Sequence, residues 1–231
     1  MNLEAIDWNS ALSALNAQGF AQLDGILSEA ECQTLIAGYD SPHFFRKTIQ
    51  MERYRFGSGE YKYFQHPLPY TIQHLRSYFY EKLQPLASHW NELLKLGQFY
   101  PPQHAEFLAH CAAHGQTLAT PLLLRYGVGG FNTLHQDLYG SVYFPFQAVI
   151  FLNQPGRDFS GGEFVITEQI PRAQSKASVL SPAQGSVLLF TTQSRPRSGA
   201  RGHYRAQLKH GVSTVHSGQR HTLGIIFHDA T

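Results

Sequence analysis

His135 and Asp137, two positions apart near the middle of the chain, are of residue types that can ligate a metal ion. They close the stretch Leu124-Arg125-Tyr126-Gly127-Val128-Gly129-Gly130-Phe131-Asn132-Thr133-Leu134-His135-Gln136-Asp137. An apolar run enters a Gly-rich turn there, and a second run leaves it. Along a strand, residues i and i+2 point to the same side. An imidazole nitrogen and a carboxylate oxygen can therefore be aimed at one point. One His and one carboxylate are two thirds of the facial set that holds Fe(II) and leaves the opposite positions open for substrate and O2. His210, in Gln207-Leu208-Lys209-His210-Gly211-Val212-Ser213-Thr214-Val215, offers the missing imidazole. Ten positions later Arg220 opens the run Arg220-His221-Thr222-Leu223-Gly224-Ile225-Ile226-Phe227. A guanidinium is a planar fork that grips a carboxylate bidentately and keeps its charge at any physiological pH. An Fe(II) centre beside a buried arginine suits a dicarboxylate cosubstrate: its keto-acid end chelates the metal and its far carboxylate meets the arginine.

Local pattern says which elements must carry these groups. Residues 3–18 read as a helix, with Ile6, Leu12 and Leu15 near helical spacing and Gly19 at its end. Residues 20–27 read as a first strand. Ser28 and Glu31 form a capping box for a helix that stops near Gly38. Residues 40–67, rich in aromatic and basic side chains, fit short strands or a lid-like loop with a turn at Gly57 and Gly59. Residues 70–96 carry a helical stripe, with Pro85 expected to divide or kink it. A shorter helix is expected over 103–114, closed by Gly115. His110 and His114 on it have i, i+4 spacing, but no Glu stands beside His110, so a packed or solvated face is the expected reading. After Thr120 short apolar runs alternate with turn residues, at 122–126, 131–136, 146–152, 163–167, 186–191, 207–215 and 221–227. That rhythm predicts antiparallel strands closed into a barrel or jelly roll.

The bulk composition narrows the class. With 231 residues, 42% hydrophobic and 15% charged, the chain can build one large core, and general disorder is not expected. A net charge of +2 argues neither for nor against nucleic acid. Two cysteines make no disulfide framework and suit a reducing, cytoplasmic setting. The N-terminal residues do not read as a signal peptide, and no apolar run reaches the roughly 20 residues of a membrane span. A single domain over 1–231 is expected: a helical support region with early strands over 1–118, and a β-barrel catalytic core over 119–231.

At these residues the sequence resembles the Fe(II)/2-oxoglutarate-dependent dioxygenases, in particular the branch that includes the prolyl 4-hydroxylases. The resemblance rests on His135-x-Asp137, on His210-Gly211-Val212-Ser213-x-Val215, and on Arg220 ten positions beyond. It extends to Arg125-Tyr126-Gly127, to Gly161-Gly162-Glu163, and to the opening Gly19-Phe20 and Leu27-Ser28-Glu29-Ala30-Glu31-Cys32. It implies an α+β, mainly β fold: a double-stranded β-helix, or jelly-roll/cupin-like barrel, with flanking N-terminal helices. It implies that His135, Asp137 and His210 form the catalytic metal site for Fe(II), and that Arg220 binds the distal carboxylate of 2-oxoglutarate. Tyr126 matches a tyrosine that often hydrogen-bonds the cosubstrate, and Thr222 stands where a Ser or Thr often assists the arginine. A second cosubstrate tyrosine of the family would fall near Phe151, which has no hydroxyl. The implied activity couples oxidative decarboxylation of 2-oxoglutarate, with O2, to hydroxylation of a substrate.

The prime substrate stays open among a protein side chain such as proline, a small molecule and a nucleic-acid base. The basic stretch 194–206 is expected as a loop bordering the site mouth, where it would either meet an anionic substrate or lie solvated. His216, His221 and His228 are expected as neighbours of the site, with His221 on the opposite side of the sheet from Arg220. A non-catalytic cupin-like sensor is the competing class. It would need neither Arg220 nor the complete set.

Overall fold

The chain places its short apolar runs in strands and its helical stripes in four helices, the longest of them of 25 residues. A computed structural model describes residues 1–200 and 202–231. In chain order the elements are α1 (Trp8–Gln18), β1 (Phe20–Leu23), α2 (Glu29–Ala37), β2 (Phe45–Gln50), β3 (Gly57–Ser58), β4 (Glu60–Phe64), α3 (Tyr70–Leu94) and α4 (His104–Ala113). The strands β5 (Leu122–Tyr126), β6 (Phe131–His135), β7 (Phe146–Phe151), β8 (Phe159–Gly161), β9 (Phe164–Gln169) and β10 (Lys176–Leu180) follow. The last five are β11 (Val187–Thr191), β12 (Ser194–Gly199), β13 (Gly202–Val212), β14 (Val215–Gly218) and β15 (Arg220–Ile226).

Thirteen strands make two sheets, the double-stranded β-helix that the resemblance implied, and β8 and β14 pair as a separate two-stranded sheet. The larger runs β1-β11-β7-β15-β5-β4-β2, and the smaller runs β10-β9-β13-β6-β3 with β12 paired to β13. The two layers of the larger sheet can be read on β7, whose six residues are all buried. Phe146, Ala148 and Ile150 join the core shared with α3, while Val149 and Phe151 join an inner cluster with Phe164, Leu188, Phe190 and Leu208. Outside the sheet, α3 buries Ile72, Leu75, Phe79, Leu83, Ala87 and Trp90, and the Trp90 ring lies 4.7 Å from that of Phe146.

Several sequence expectations are corrected. α1 begins at Trp8 rather than residue 3, because the Asp7 carboxylate accepts the Ser10 N–H and caps it there. Its end is as expected, at Gly19 with φ 85°. α3 runs through Pro85 as one helix. A proline costs about 3 kcal/mol in a helix interior, and the apolar stripe buried on both sides of Pro85 outweighs that. Residues 40–67 resolve into β2, β3 and β4 with short 3-10 turns. The stretch 194–206 is a hairpin of β12 and β13 rather than a loop. Its Arg195 is buried, with Nη2 2.9 Å from Glu168 Oε1 and Nη1 donating to the Asn16 carbonyl. Arg201 lies outside the described residues. No helix among the described residues is long and apolar enough to cross a membrane.

Behind the sheet, α3 and α4 are tied to the end of β15. Arg76 donates from Nε to the Ile226 carbonyl and from Nη2 to Asp229. His104 donates from Nε2 to the Phe227 carbonyl, and His228 accepts at Nδ1 from the Phe144 N–H. Burial, reinforced by the Arg76 charge, pushes both His104 and His228 down to about 3. In the unfolded chain they titrate near 6.5. Between these values only the unfolded state binds the protons, so stability falls as pH drops below about 6.5. The loss should approach 2 kcal/mol per histidine at pH 5. Urea midpoints should therefore drop between pH 7 and pH 5, and the drop should shrink in His104→Gln. Equal midpoints at the two pH values would contradict it.

Candidate metal centre and its cavity

β6 and β13 pair antiparallel with His135 directly opposite His210. Their ring centroids are 4.2 Å apart. β6 ends at His135, so Asp137 lies just past the strand rather than within it as strand alternation had suggested. Its carboxylate nevertheless turns back to the histidines. Oδ1 is 3.4 Å from His135 Nε2, and Oδ2 is 3.3 Å from His210 Nε2. Among the described residues these three form the one group of three or more His, Cys, Asp or Glu whose ligand atoms all lie within 4.8 Å of one another. His110 and His114 find no third partner of that kind; His114 Nδ1 donates to the His110 carbonyl.

Neighbouring groups hold each of the three. His135 Nδ1 donates to the Thr133 carbonyl at 2.8 Å, which leaves the Nε2 lone pair facing the centre. His210 stacks on Phe164 at 5.7 Å and 13°, with Phe190 4.7 Å away. The Tyr139 hydroxyl donates to Asp137 Oδ1 at 2.9 Å. Burial alone would raise the Asp137 carboxyl, but hydrogen bonds and charge from the two histidines hold it well below the usual carboxylate range. Asp137 is thus anionic at neutral pH. Two imidazoles and one carboxylate on one side of a cavity fit a divalent ion with open positions, the donor set of non-haem Fe(II).

The cavity they face measures about 250 Å³ and runs between the sheets. Arg220 enters it from the first residue of β15, opposite Tyr126 on β5. It is 1% exposed, and none of its three guanidinium nitrogens has a hydrogen-bond partner among the described residues. The buried Tyr126 hydroxyl likewise has no hydrogen-bond partner among the described residues. Burial brings the Arg220 guanidinium down only to about 10, so it stays a cation at neutral pH. Its carbon sits 5.5 Å from the centroids of both the Tyr126 and Phe151 rings. At Phe151, where the family's second tyrosine would fall, an aromatic face meets the cation in place of a hydroxyl. Gly162, at φ 65°, makes room for it: a Cβ there would come within 2.9 Å of Arg220 Cδ. Thr222, the next inward residue of β15, is buried and lines the same cavity.

The other sequence candidates fall outside. His216 is exposed, and His228 is bonded behind the sheet. His221 points away from the cavity, as strand alternation predicts, bonding Asn153 and packing edge-on to Tyr39. None of the described residues of 194–206 lines the cavity. Sequence reasoning assigned no role to Tyr61, Tyr63, Tyr139, Gln147 or Phe190, all of which line the cavity. For Gln147 a signal was present: it is the single polar residue in Phe146–Phe151.

Residues 59–230 match the Oxygenase-NA family, described as "Oxygenase, catalysing oxidative methylation of damaged DNA". An uncharacterized protein of Mycobacterium tuberculosis, found in two strains, is 44% identical over 164 residues, which is 71% of this chain and 70% of its own. Solved structures share the fold at low identity. A 2OG-Fe(II) oxygenase-family oxidoreductase from Burkholderia pseudomallei aligns with TM-score 0.58 at 18% identity, covering 98% of this chain and 93% of its own. A Pseudomonas putida prolyl-4-hydroxylase aligns with TM-score 0.55 at 14% identity, covering 97% and 99%. A Trichoplax adhaerens prolyl hydroxylase, solved with a hypoxia inducible factor peptide, aligns with TM-score 0.56 at 15% identity, covering 95% and 87%.

A divalent-ion titration tests the centre directly. Co(II) should bind at one per chain in the wild type and fail to bind in Asp137→Ala. Tyr139→Phe, which removes only the hydroxyl holding Asp137, should weaken binding by about 10- to 100-fold. Undiminished Co(II) binding in Asp137→Ala would remove these residues from the metal site.

Proposed function

The chain belongs to the Oxygenase-NA family and is an oxygenase on the fold of the 2-oxoglutarate/Fe(II) enzymes, and from that premise we propose which of its residues do the work and on what. His135, Asp137 and His210 hold Fe(II). Arg220 holds the distal carboxylate of 2-oxoglutarate, with Tyr126 and Thr222 beside it. With iron, 2-oxoglutarate and O2 bound, the centre supplies oxidative decarboxylation of the cosubstrate to succinate and CO2, coupled to hydroxylation of the prime substrate.

The observation that carries this reading is Arg220. A buried cation without an anion costs several kcal/mol, and removing a partner from a buried pair is among the larger losses known in proteins. A dicarboxylate fits both ends of the problem. One carboxylate neutralises Arg220, and the keto-acid end reaches the open side of the His-Asp-His group. Burial pushes the Tyr126 phenol up to about 12, so it stays a neutral donor for that carboxylate at neutral pH. The Thr222 hydroxyl, one inward position from Arg220, can add a second. Val149, Phe164 and Phe190 line the cavity, backed by Phe151 of the same apolar cluster, and keep bulk water from the centre. A sensor that binds metal alone would not need an unneutralised arginine in the same cavity.

Of the three substrate classes left open by the sequence, the family description supports a base in damaged DNA. The rim agrees with it. Tyr54 and Phe56 are exposed and stacked, with centroids 5.5 Å apart and planes at 17°. Phe56 also lines the cavity. They alternate with Arg53 and Arg55 on one turn, which puts ring faces and positive charge side by side at the mouth. An enzyme that acts on a base outside the stack needs both.

Succinate formation tests the anchor. In Arg220→Leu the KM for 2-oxoglutarate should rise by about 100-fold or more, since breaking a buried charge pair costs about 3–5 kcal/mol. Metal content should be unchanged. The same substitution removes an unpaired buried charge, so it should raise the thermal midpoint of the cosubstrate-free protein. An unchanged KM would take Arg220 out of this role.

A further inference from the structure

Gln147 is a further polar group in the cavity, in addition to Arg220 and Tyr126, without a hydrogen-bond partner among the described residues. It is 4% exposed, and the unpartnered atom is its amide nitrogen. Leaving a buried amide unmade costs about as much as a whole hydrogen bond contributes. A glutamine kept in an otherwise apolar strand under that cost implies a partner that arrives with a ligand.

Register locates it relative to the centre. On β15, Arg220 pairs with Tyr126, and Ile226, six residues on, pairs with Gln147. Six strand residues span roughly 20 Å. Gln147 and Arg220 therefore stand at opposite ends of the cavity. The metal centre neighbours the Gln147 end: Gln147 pairs on its other side with Phe190, whose ring is 4.7 Å from that of His210. A cosubstrate anchored on Arg220 reaches the centre from one end, so Gln147 faces whatever reaches it from the other. Tyr63 and Tyr139, whose rings meet edge-on at 6.4 Å, line the same end.

We propose that Gln147 is a specificity residue that reads the hydrogen-bonding edge of a nucleobase whose methyl group is presented to the metal centre. A primary amide offers donors and an acceptor side by side in one plane. That matches the edge of a purine or pyrimidine, as in the bidentate pairing of glutamine with adenine. Aromatic rings around it supply faces for stacking, the second requirement of a flipped base. A prolyl ring presents no such edge. The inference rests on the oxygenase reading above and specifies the substrate side of the same cavity.

The test uses anaerobic protein loaded with Fe(II) and 2-oxoglutarate. It is titrated with labelled single-stranded oligonucleotides that carry one 1-methyladenine, one 3-methylcytosine or no modification, and binding is read by anisotropy. Wild type should prefer at least one methylated oligonucleotide by about tenfold or more, the range of one base-edge contact. Gln147→Leu should lose that preference while the visible band of the iron-bound cosubstrate is retained, which shows the centre intact. Gln147→Glu, of the same shape but accepting only, should shift the preference toward a base that presents an amino group. A full preference in Gln147→Leu overturns the inference and leaves the oxygenase reading standing. A wild type that binds proline peptides and shows no preference among oligonucleotides overturns it too. Absence of the cosubstrate band in wild type overturns the oxygenase reading itself, and this inference with it.

Discussion

His135 faces His210 across one antiparallel pair, and the site depends on that register. Side chains alternate along a strand, so a slip of one residue on β13 would turn Lys209 inward and His210 out. The register is held from both sides. β9 pairs Ile166 with His210 and stacks Phe164 on its ring. At Gly211 the backbones approach so closely that a Cβ would meet the Asn132 carbonyl oxygen at 2.7 Å. The pairing breaks register immediately after His210, where β13 bends toward β14. Once the two imidazoles are fixed, Asp137 needs only a short irregular turn, with Tyr139 as its anchor, to complete the group.

Two buried arginines show how the molecule separates structure from chemistry. Arg76 and Arg220 are both fully enclosed. Arg76 bonds Asp229, Thr120 and the Ile226 carbonyl, and so ties α3 to the end of the larger sheet. Arg220 bonds none of the described residues and rests between two aromatic faces. The same charge at similar depth is paired with a carboxylate in the core and, among the described residues, unpaired in the cavity. Desolvation makes the second arrangement unfavourable unless an anion completes it. Gln147 repeats the contrast with a neutral amide at the other end. The cavity is thus polarised along its length, with a cation for an anion at one end and an amide for a planar polar edge at the other.

The barrel was legible in the sequence because short apolar runs such as Leu122–Tyr126 and Phe146–Phe151 are local facts. The His135-x-Asp137 pair is local too, while His210 and Arg220 were singled out by residue type and by the resemblance, and the fold brings His210 against that pair. What was not legible depends on partners far along the chain. The hairpin of 194–206 read as a loop because Arg195 is neutralised by Glu168, 27 residues earlier. Pro85 read as a break because the packing that carries α3 past it comes from β7 and β15. Tyr139 and Gln147 acquire meaning only from what they face, Asp137 in one case and an open cavity in the other.

In the proposed reading, one cavity holds a metal ion and, against Arg220, a dicarboxylate that chelates it. Anaerobic titration of the Fe(II)-loaded protein with 2-oxoglutarate measures both at once through the weak visible charge-transfer band of the chelate. The band should appear and saturate at one cosubstrate per iron. Glutarate, which has both carboxylates but no keto group, should suppress it competitively by occupying Arg220. Iron bound in full with no band at any 2-oxoglutarate concentration would contradict the account and mean that the barrel holds its metal for another purpose.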